Sequence, residues 1–302
     1  MIDKSISTLM TVRIATETRT GYSTGFRRWQ TFCDFVGYDY FTINDKIARH
    51  FIGYMHAFLE ISGENADKTL TAVKSTLLEC NVFYNRSPFV TGLIKGFKID
   101  RPVNPNPTKP FSVYHLRYMV AWCVKKGDFT DWALSCAVLL SFYGMTRPGE
   151  VAPRTLTAKF LLTRGQVQFH PNMDNPTDVI ISLYGSKTNR TGKLELITVG
   201  CRCKTKMCGV KVPCGLHRLL KYAKARDGLY GYDPNAMFFI KESNGNAVLY
   251  ANLHKYYQRI IKTINEKKNL NMTLSDYTPH CGRIGGTTER ARNGERGGAV
   301  GL

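Results

Sequence analysis

The apolar residues of this chain recur every three or four positions over most of its length, which predicts a mainly helical protein. Four such stripes lie between residues 20 and 99, and no run there alternates as a strand would. The first stripe is the clearest and carries Phe26, Trp29, Phe32 and Val36. Residues 20–99 are therefore predicted to form a four-helix domain, preceded by a polar, flexible arm at 1–19.

A proline-rich segment at 100–110, DRPVNPNPTKP, interrupts this pattern. Its repeated prolines and near absence of apolar residues favour a semi-rigid linker over a packed element. We therefore predict a domain boundary here, with a second domain at 111–302.

The second domain mixes helical and strand patterns. The runs at 178–184 and 194–199 read as strands, and the loop GSKTNRTGK joins them. A further hairpin is predicted with its turn at Arg164-Gly165. Helical stripes precede and follow these strands. The predicted fold class is therefore mostly α with a small antiparallel β-sheet, in an α+β second domain.

Charge changes the picture more than any other property of the composition. The chain has 42 Lys and Arg against 23 Asp and Glu, a formal net charge of +19. Residues 1–105 carry 13 basic and 10 acidic side chains, a net of +3, whereas residues 106–302 carry 29 and 13, a net of +16. Such a surface attracts a polyanion, with nucleic acid the first candidate and an anionic membrane the second.

A membrane partner is not expected from the rest of the sequence. The N-terminus MIDKSISTLM lacks the apolar core of a signal peptide, and the longest apolar run, 132–145, is short for a membrane span. The chain is therefore expected to be intracellular, and nuclear if its source is eukaryotic.

The nine cysteines are expected to be thiols or metal ligands rather than a disulfide framework, because the predicted compartment is reducing. Four of them cluster near His217, namely Cys201, Cys203, Cys208 and Cys214. This density suits zinc, although the spacing is not a common zinc-finger pattern. The alternative is a set of plain thiols in a basic loop.

The segment LLSFYGMTRPGEVAP at 139–153 is the first candidate site. Its apolar part reads as the end of a buried helix, which Gly144 stops. Arg147 follows on a turn, and Glu150 lies three residues later, where its carboxylate can orient the guanidinium. A guanidinium held in this way suits bidentate binding of a phosphate. The alternative is an arginine that only caps a helix end.

Two further features could carry chemistry. Lys187 lies with Arg190 in the loop between the two clearest strands, although an ordinary solvated hairpin tip would look the same. His280 and Arg283 lie three residues apart in HCGRIGG, on one face of a predicted helix. Small residues around them would let a backbone or a ligand approach closely. Their alternative reading is a structural histidine and a surface arginine.

An arginine after a glycine break, a lysine on a β-hairpin and a His-x-x-Arg on a helix together resemble the tyrosine recombinase (phage integrase) family. The resemblance extends over about residues 20–293, and the motif HCGRIGGTT is most similar to that of Crypton-like or DIRS-like recombinases of mobile elements. It implies a helical core-binding domain and a catalytic domain that clamp duplex DNA. It also implies a tetramer on that DNA, and strand exchange through a 3′-phosphotyrosyl intermediate in DNA recombination and integration.

The resemblance also implies residue roles. Arg147 and Arg283 would clamp the non-bridging phosphate oxygens, His280 would help to move protons, and Lys187 would protonate the leaving 5′ oxygen. Glu150 would orient the arginine. No metal or cofactor is expected at this site, because the arginines supply the positive charge. The basic residues expected to contact DNA are Arg27, Arg28, Lys74, Arg190 and Lys193.

One part of the family pattern is missing. The nucleophilic tyrosine should follow the His-x-x-Arg, yet the sequence after Arg283 contains no Tyr, His or Trp. The catalytic domain is therefore expected to be truncated at its C-terminus, in a fragment or a decayed copy that is inactive alone. Two alternatives stay open: a DNA-binding protein derived from a recombinase that no longer cleaves, and a relative of type IB topoisomerases.

Overall fold

The computed structural model describes residues 16–103, 108–156, 161–184, 193–201, 203, 213–242 and 244–293. The chain divides into two compact units, 1–105 and 106–302, and each has a hydrophobic core of its own. Within the described ranges, no helix is both long enough and apolar enough to cross a bilayer.

The N-terminal unit consists of four helices, α1 Thr16–Val36, α2 Asp45–Phe58, α3 Gly63–Glu79 and α4 Pro88–Asp100. The last three are capped by Asn44, Ser62 and Ser87, whose side chains accept a backbone N–H from the first turn. The aromatic rings of Trp29, Phe32 and Phe51 pack together at the centre of the unit. The helix α1 begins at Thr16, four residues before the predicted start of the helical domain at residue 20.

The C-terminal unit combines six helices with one small sheet in the described part of the chain. The helices are α5 Val113–Lys126, α6 Phe129–Tyr143, α7 Pro148–Val151, α8 Gly215–Tyr230, α9 Tyr250–Lys268 and α10 His280–Arg292. The strands are β1 Val167–His170, β2 Asp178–Tyr184 and β3 Leu194–Gly200, antiparallel in the order β1-β2-β3. The predicted fold class, mostly α with a small antiparallel sheet, is confirmed.

The predicted hairpin at Arg164-Gly165 is wrong. Residues Arg164–Gln166 form a 3-10 turn, and Thr163 pairs with Met237 instead of pairing across that turn. The physical reason is that the Arg164 side chain is buried. Its guanidinium Nη2 lies 2.9 Å from Asp227 Oδ2 and forms an ion pair with this carboxylate. A solvated hairpin tip could not hold a buried, paired charge of this kind.

Helix α6 is the centre of the C-terminal unit. Nearly all of its residues are buried, because α5, α8, α9 and α10 all pack against it. A helix that is apolar around its whole circumference can be stable only when it is enclosed in this way. The end of α6 is therefore a fixed point from which the chain continues toward Arg147.

The segment after the proline-rich region is bonded to the last part of the described chain. The Lys109 backbone N–H donates to the Asp276 carbonyl at 2.9 Å, and the Phe111 N–H donates to the Cys281 carbonyl at 3.0 Å. An ion pair of 2.7 Å between Lys109 Nζ and Asp276 Oδ2 reinforces this join. The beginning of the unit thus fixes the entry into α10.

Candidate functional site

Three consecutive residues turn the chain sharply at the end of α6. Gly144 caps the helix, and its N–H donates to the Leu140 carbonyl. Met145 adopts a left-handed conformation with φ +51°, which is uncommon for a residue other than glycine. Thr146 is buried, with its hydroxyl 3.5 Å from that of Ser141. This turn presents Arg147 at the edge of the core.

Arg147 and Glu150 form a closed pair around the short helix α7. The Arg147 backbone N–H donates to Glu150 Oε2 at 2.6 Å, and the guanidinium Nη1 donates to Oε1 at 3.1 Å. The Arg147 side chain is 30% exposed and that of Glu150 is 10% exposed. The carboxylate is thus buried beneath an arginine that still reaches solvent, so Glu150 can orient the guanidinium toward an incoming anion.

His280 and Arg283 lie in the first turn of α10. His280 is exposed and Arg283 is half-buried, while Cys281 and Gly282 between them are buried. This alternation arises because the helix buries one side against α6. Both basic side chains therefore belong to the part of the turn that is left outside the core.

The glycines of α10 allow two backbones to come into contact. A Cβ at Gly285 would overlap the Phe111 carbonyl oxygen, and one at Gly286 would overlap the Phe142 carbonyl oxygen. Further along α10, Arg290 Nη2 donates to the Tyr143 carbonyl at 3.2 Å. The helix that carries Arg283 is therefore fixed on the last turn of α6, four residues before Arg147. The expected close approach is confirmed, and the group that approaches is backbone.

The β2–β3 strand pair also packs at the end of α6. Ile197 of β3 packs beside Gly144, where an added Cβ would lie 3.0 Å from its Cγ2 atom. Lys193 is exposed directly before β3. Lys187 and Arg190 fall between the two strands and lie outside the described residues. The end of α6 therefore lies next to three elements: the turn that carries Arg147, the helix α10 that carries Arg283, and the strand β3.

The basic residues predicted to contact DNA from the N-terminal unit lie on α1 and α3. Arg27 is exposed. Arg28 Nη1 donates to Thr69 Oγ1 at 3.1 Å, and Lys74 Nζ donates to Asn85 Oδ1 at 3.1 Å. The side chains of Arg28 and Lys74 are thus positioned by hydrogen bonds to neutral partners.

The tyrosines that precede His280 are poorly suited to act as nucleophiles. Tyr256 and Tyr257 are fully buried, and burial raises the pKa of both phenols well above its usual value. Tyr277 is also buried, and its hydroxyl donates to the sulfur of Met272. Tyr250 is half-buried, beneath the guanidinium of Arg154.

The cysteine cluster is a second place where distant residues meet. Cys201, Cys203 and Cys214 converge with His217, and their potential ligand atoms all lie within 4.8 Å of one another. Cys208, also predicted as a ligand, lies outside the described residues. The cysteine pattern alone does not predict His217 as a ligand, although the position of this histidine in the first turn after Cys214 is a usable signal.

Comparison with known proteins connects this architecture to solved structures. No protein-family model and no curated protein matches the chain. A structure of the Tn1549 transposon integrase in complex with transposon right-end DNA matches with a TM-score of 0.57 and 13% identity, over 94% of this chain and 83% of that chain. The same integrase in complex with a circular-intermediate DNA matches with a TM-score of 0.50 and 15% identity, over 84% of this chain and 75% of that chain.

The likeness extends over both units, and at this level of identity it concerns the fold. The matched integrase is a tyrosine recombinase, and the mostly helical architecture with a small antiparallel sheet described above is consistent with that fold. The chain has the fold of a tyrosine recombinase.

Proposed function

We propose that this chain binds duplex DNA and holds a phosphodiester between Arg147 and Arg283, as a mobile-element recombinase of the tyrosine class does. The observation that carries the proposal is the packing of α10 on the last turn of α6, which ties the two arginine-bearing elements together. The net charge of +16 on residues 106–302 supports a polyanionic partner. The DNA in the matched integrase structures agrees with this choice of partner.

The chemistry proposed for the site is stabilisation of a phosphorane-like transition state. Arg147, oriented by Glu150, and Arg283 donate hydrogen bonds to the non-bridging oxygens as negative charge gathers there. His280 is exposed and can hydrogen-bond the phosphate or move a proton. Lys187 would give a proton to the departing 5′ oxygen. This step breaks the bond between phosphorus and O5′ and forms one between phosphorus and a tyrosine oxygen, whose phenol proton His280 can accept.

We assign the nucleophilic tyrosine to none of the residues 1–302. The sequence after Arg283 has no tyrosine, and Tyr256 and Tyr257 are enclosed in the core. DNA binding without cleavage is therefore the second candidate function for residues 1–302, and the burial of these two phenols favours it. Assembly into a tetramer on DNA stays a prediction, which mass photometry with a saturating duplex can check.

Binding of a fluorescent duplex, followed by anisotropy at several salt concentrations, tests the proposal. We expect the logarithm of the affinity to fall linearly and steeply with that of the salt concentration, because phosphate contacts release counterions. Binding that does not change between low and physiological salt would contradict a phosphate clamp. Arg147→Ala and Arg283→Ala should each keep most of this non-specific binding.

A denaturing gel separates the two candidate functions. The chain is incubated with the duplex, denatured and checked for covalently attached DNA. We expect none from residues 1–302, and a covalent adduct would show that a residue within this range acts as the nucleophile.

A further inference from the structure

The structure brings together a second set of reactive side chains that the arginine site does not use. Cys203 Sγ lies 3.5 Å from His217 Nδ1, and Cys201 Sγ lies 3.8 Å from the same nitrogen. Cys214 completes the group, in which every ligand atom is within 4.8 Å of the others. We propose that Cys201, Cys203, Cys214 and His217 bind a structural zinc ion.

The spacing of these atoms agrees with tetrahedral zinc. Bonds of about 2.3 Å to sulfur and about 2.1 Å to nitrogen place a sulfur about 3.6 Å from the nitrogen and about 3.8 Å from another sulfur. The two sulfur–nitrogen distances, 3.5 Å and 3.8 Å, lie close to this geometry. Small side-chain movements therefore suffice to bind the ion.

The ligands come from two elements that the fold already holds side by side. Cys201 directly follows β3, whereas Cys214 is the N-cap of α8 and His217 lies in the first turn of that helix. Gly215 packs between Tyr143 and Val199, where an added Cβ would lie 2.9 Å and 3.2 Å from their side chains. The site is thus preorganised by the same packing that holds β3 near the end of α6.

The ligand chemistry distinguishes a structural site from a catalytic one. Three sulfurs and one imidazole nitrogen fill all four positions of tetrahedral zinc, which leaves no position for water or substrate. The burial of Cys214 encloses the site on one side, whereas Cys201 is exposed and gives the metal access. The three cysteines are free thiols, as a metal site requires.

The surrounding sequence compensates the charge of such a centre. Zinc bound by three thiolates and a neutral imidazole carries a net charge of −1. Four basic residues lie between the first and last cysteine, namely Arg202, Lys204, Lys206 and Lys211. The segment 201–214 contains no acidic residue, so its formal net charge stays positive when zinc is bound.

Metal content measured under reducing conditions tests the proposal. The full chain is reconstituted with zinc in the presence of a phosphine reductant, passed through a desalting column and analysed by plasma mass spectrometry. Cobalt in place of zinc gives a second readout, since tetrahedral thiolate ligation produces strong visible absorption and a sulfur-to-metal charge-transfer band.

Single substitutions identify the ligands. We expect one zinc per chain in the wild type, and loss of the metal and of the cobalt charge-transfer band in Cys203→Ser and His217→Ala. Cys80→Ser is the matched control, because it makes the same change at an exposed free cysteine of the N-terminal unit. Cys208→Ser should also keep the metal.

Several outcomes would overturn the proposal. A wild-type chain that stays free of zinc, or a Cys203→Ser variant with an unchanged cobalt spectrum, contradicts the site itself. Loss of metal in Cys208→Ser together with its retention in His217→Ala contradicts the ligand set. Because the wild-type cobalt spectrum reports thiolate ligation directly, a variant that fails to fold leaves the proposal testable.

Discussion

Arg147 donates both its backbone N–H and its guanidinium to the carboxylate of Glu150, at 2.6 Å and 3.1 Å. One acidic side chain therefore caps the short helix α7 and also fixes the direction of the arginine. The two functions cannot be separated by the substitution of Glu150 alone. A combination of variants can measure how strongly the pair is coupled.

We expect Glu150→Ala to lower the free energy of unfolding by about 1 kcal/mol, because it removes the capping contact. In a double-mutant cycle with Arg147→Ala, the coupling energy should be about 1 kcal/mol, as for a partly buried ion pair. Urea denaturation measures both values. Gly149→Ala is the control, because an added Cβ there meets nothing within 4 Å. A coupling energy of zero would show that Glu150 does not hold the guanidinium.

Gly286→Ala should destabilise the C-terminal unit by about 2 kcal/mol or more, because the new methyl group overlaps the Phe142 carbonyl oxygen. Gly228→Ala makes the same chemical change in α8, at an exposed position with nothing within 4 Å. This control should stabilise the protein slightly, because alanine favours a helix. Thermal unfolding followed by circular dichroism compares the two variants, and equal midpoints would contradict the close packing of α10 on α6.

His115 should make the stability of the C-terminal unit depend on pH. Burial lowers its pKa to about 4 from the ordinary value of 6.5, and its Nδ1 accepts the Ser112 N–H at 2.9 Å. The unfolded chain therefore binds a proton between these two pH values while the folded chain does not. The stabilisation is complete above pH 6.5 and is lost as the pH falls toward 4, with a total of roughly 3 kcal/mol.

The variant His115→Gln isolates this contribution to the pH dependence. Glutamine at the third helical position can still accept the Ser112 N–H but does not titrate near neutral pH. Unfolding midpoints of the variant should therefore depend less on pH between 4 and 6.5 than those of the wild type. Equal slopes would mean that the histidine does not cause the acid sensitivity.

Arg27→Ala should weaken duplex binding to a similar degree for all sequences, and should reduce the slope of affinity against salt by about 1. The reason is that this exposed side chain is predicted to contact a phosphate, which gives affinity without base recognition. Arg27→Lys keeps the charge and should keep the slope. An unchanged slope in the alanine variant would remove Arg27 from the DNA-binding surface.

The sequence predicted the helices and the two longer strands well, because those elements depend on local periodicity. The strand at 178–184 has the predicted bounds, and Gly144 follows α6 as expected. The turn at Arg164 was not predictable in this way, because its burial depends on Asp227, which lies 63 residues further along the chain.

The same distinction between local and long-range contacts applies to the candidate sites. The capping geometry of Glu150 on Arg147 is a contact between near neighbours, so spacing alone predicted it. The convergence of Cys203 with His217 depends on the packing of β3 beside α8, which no local pattern encodes. The left-handed turn at Met145 gave no signal either, since methionine is not a residue that favours positive φ.

The hydrogen bonds that join Lys109 and Phe111 to Asp276 and Cys281 have a consequence for synthesis on the ribosome. Helices α1 to α4 follow one another along the chain, so the N-terminal unit can fold while later residues are still being translated. The C-terminal unit must wait until α10 has emerged, because its first segment and the end of α6 lack their partners before then. A ribosome-bound chain that stops before residue 280 should therefore show a protease-resistant N-terminal unit joined to a C-terminal unit that is still open to cleavage.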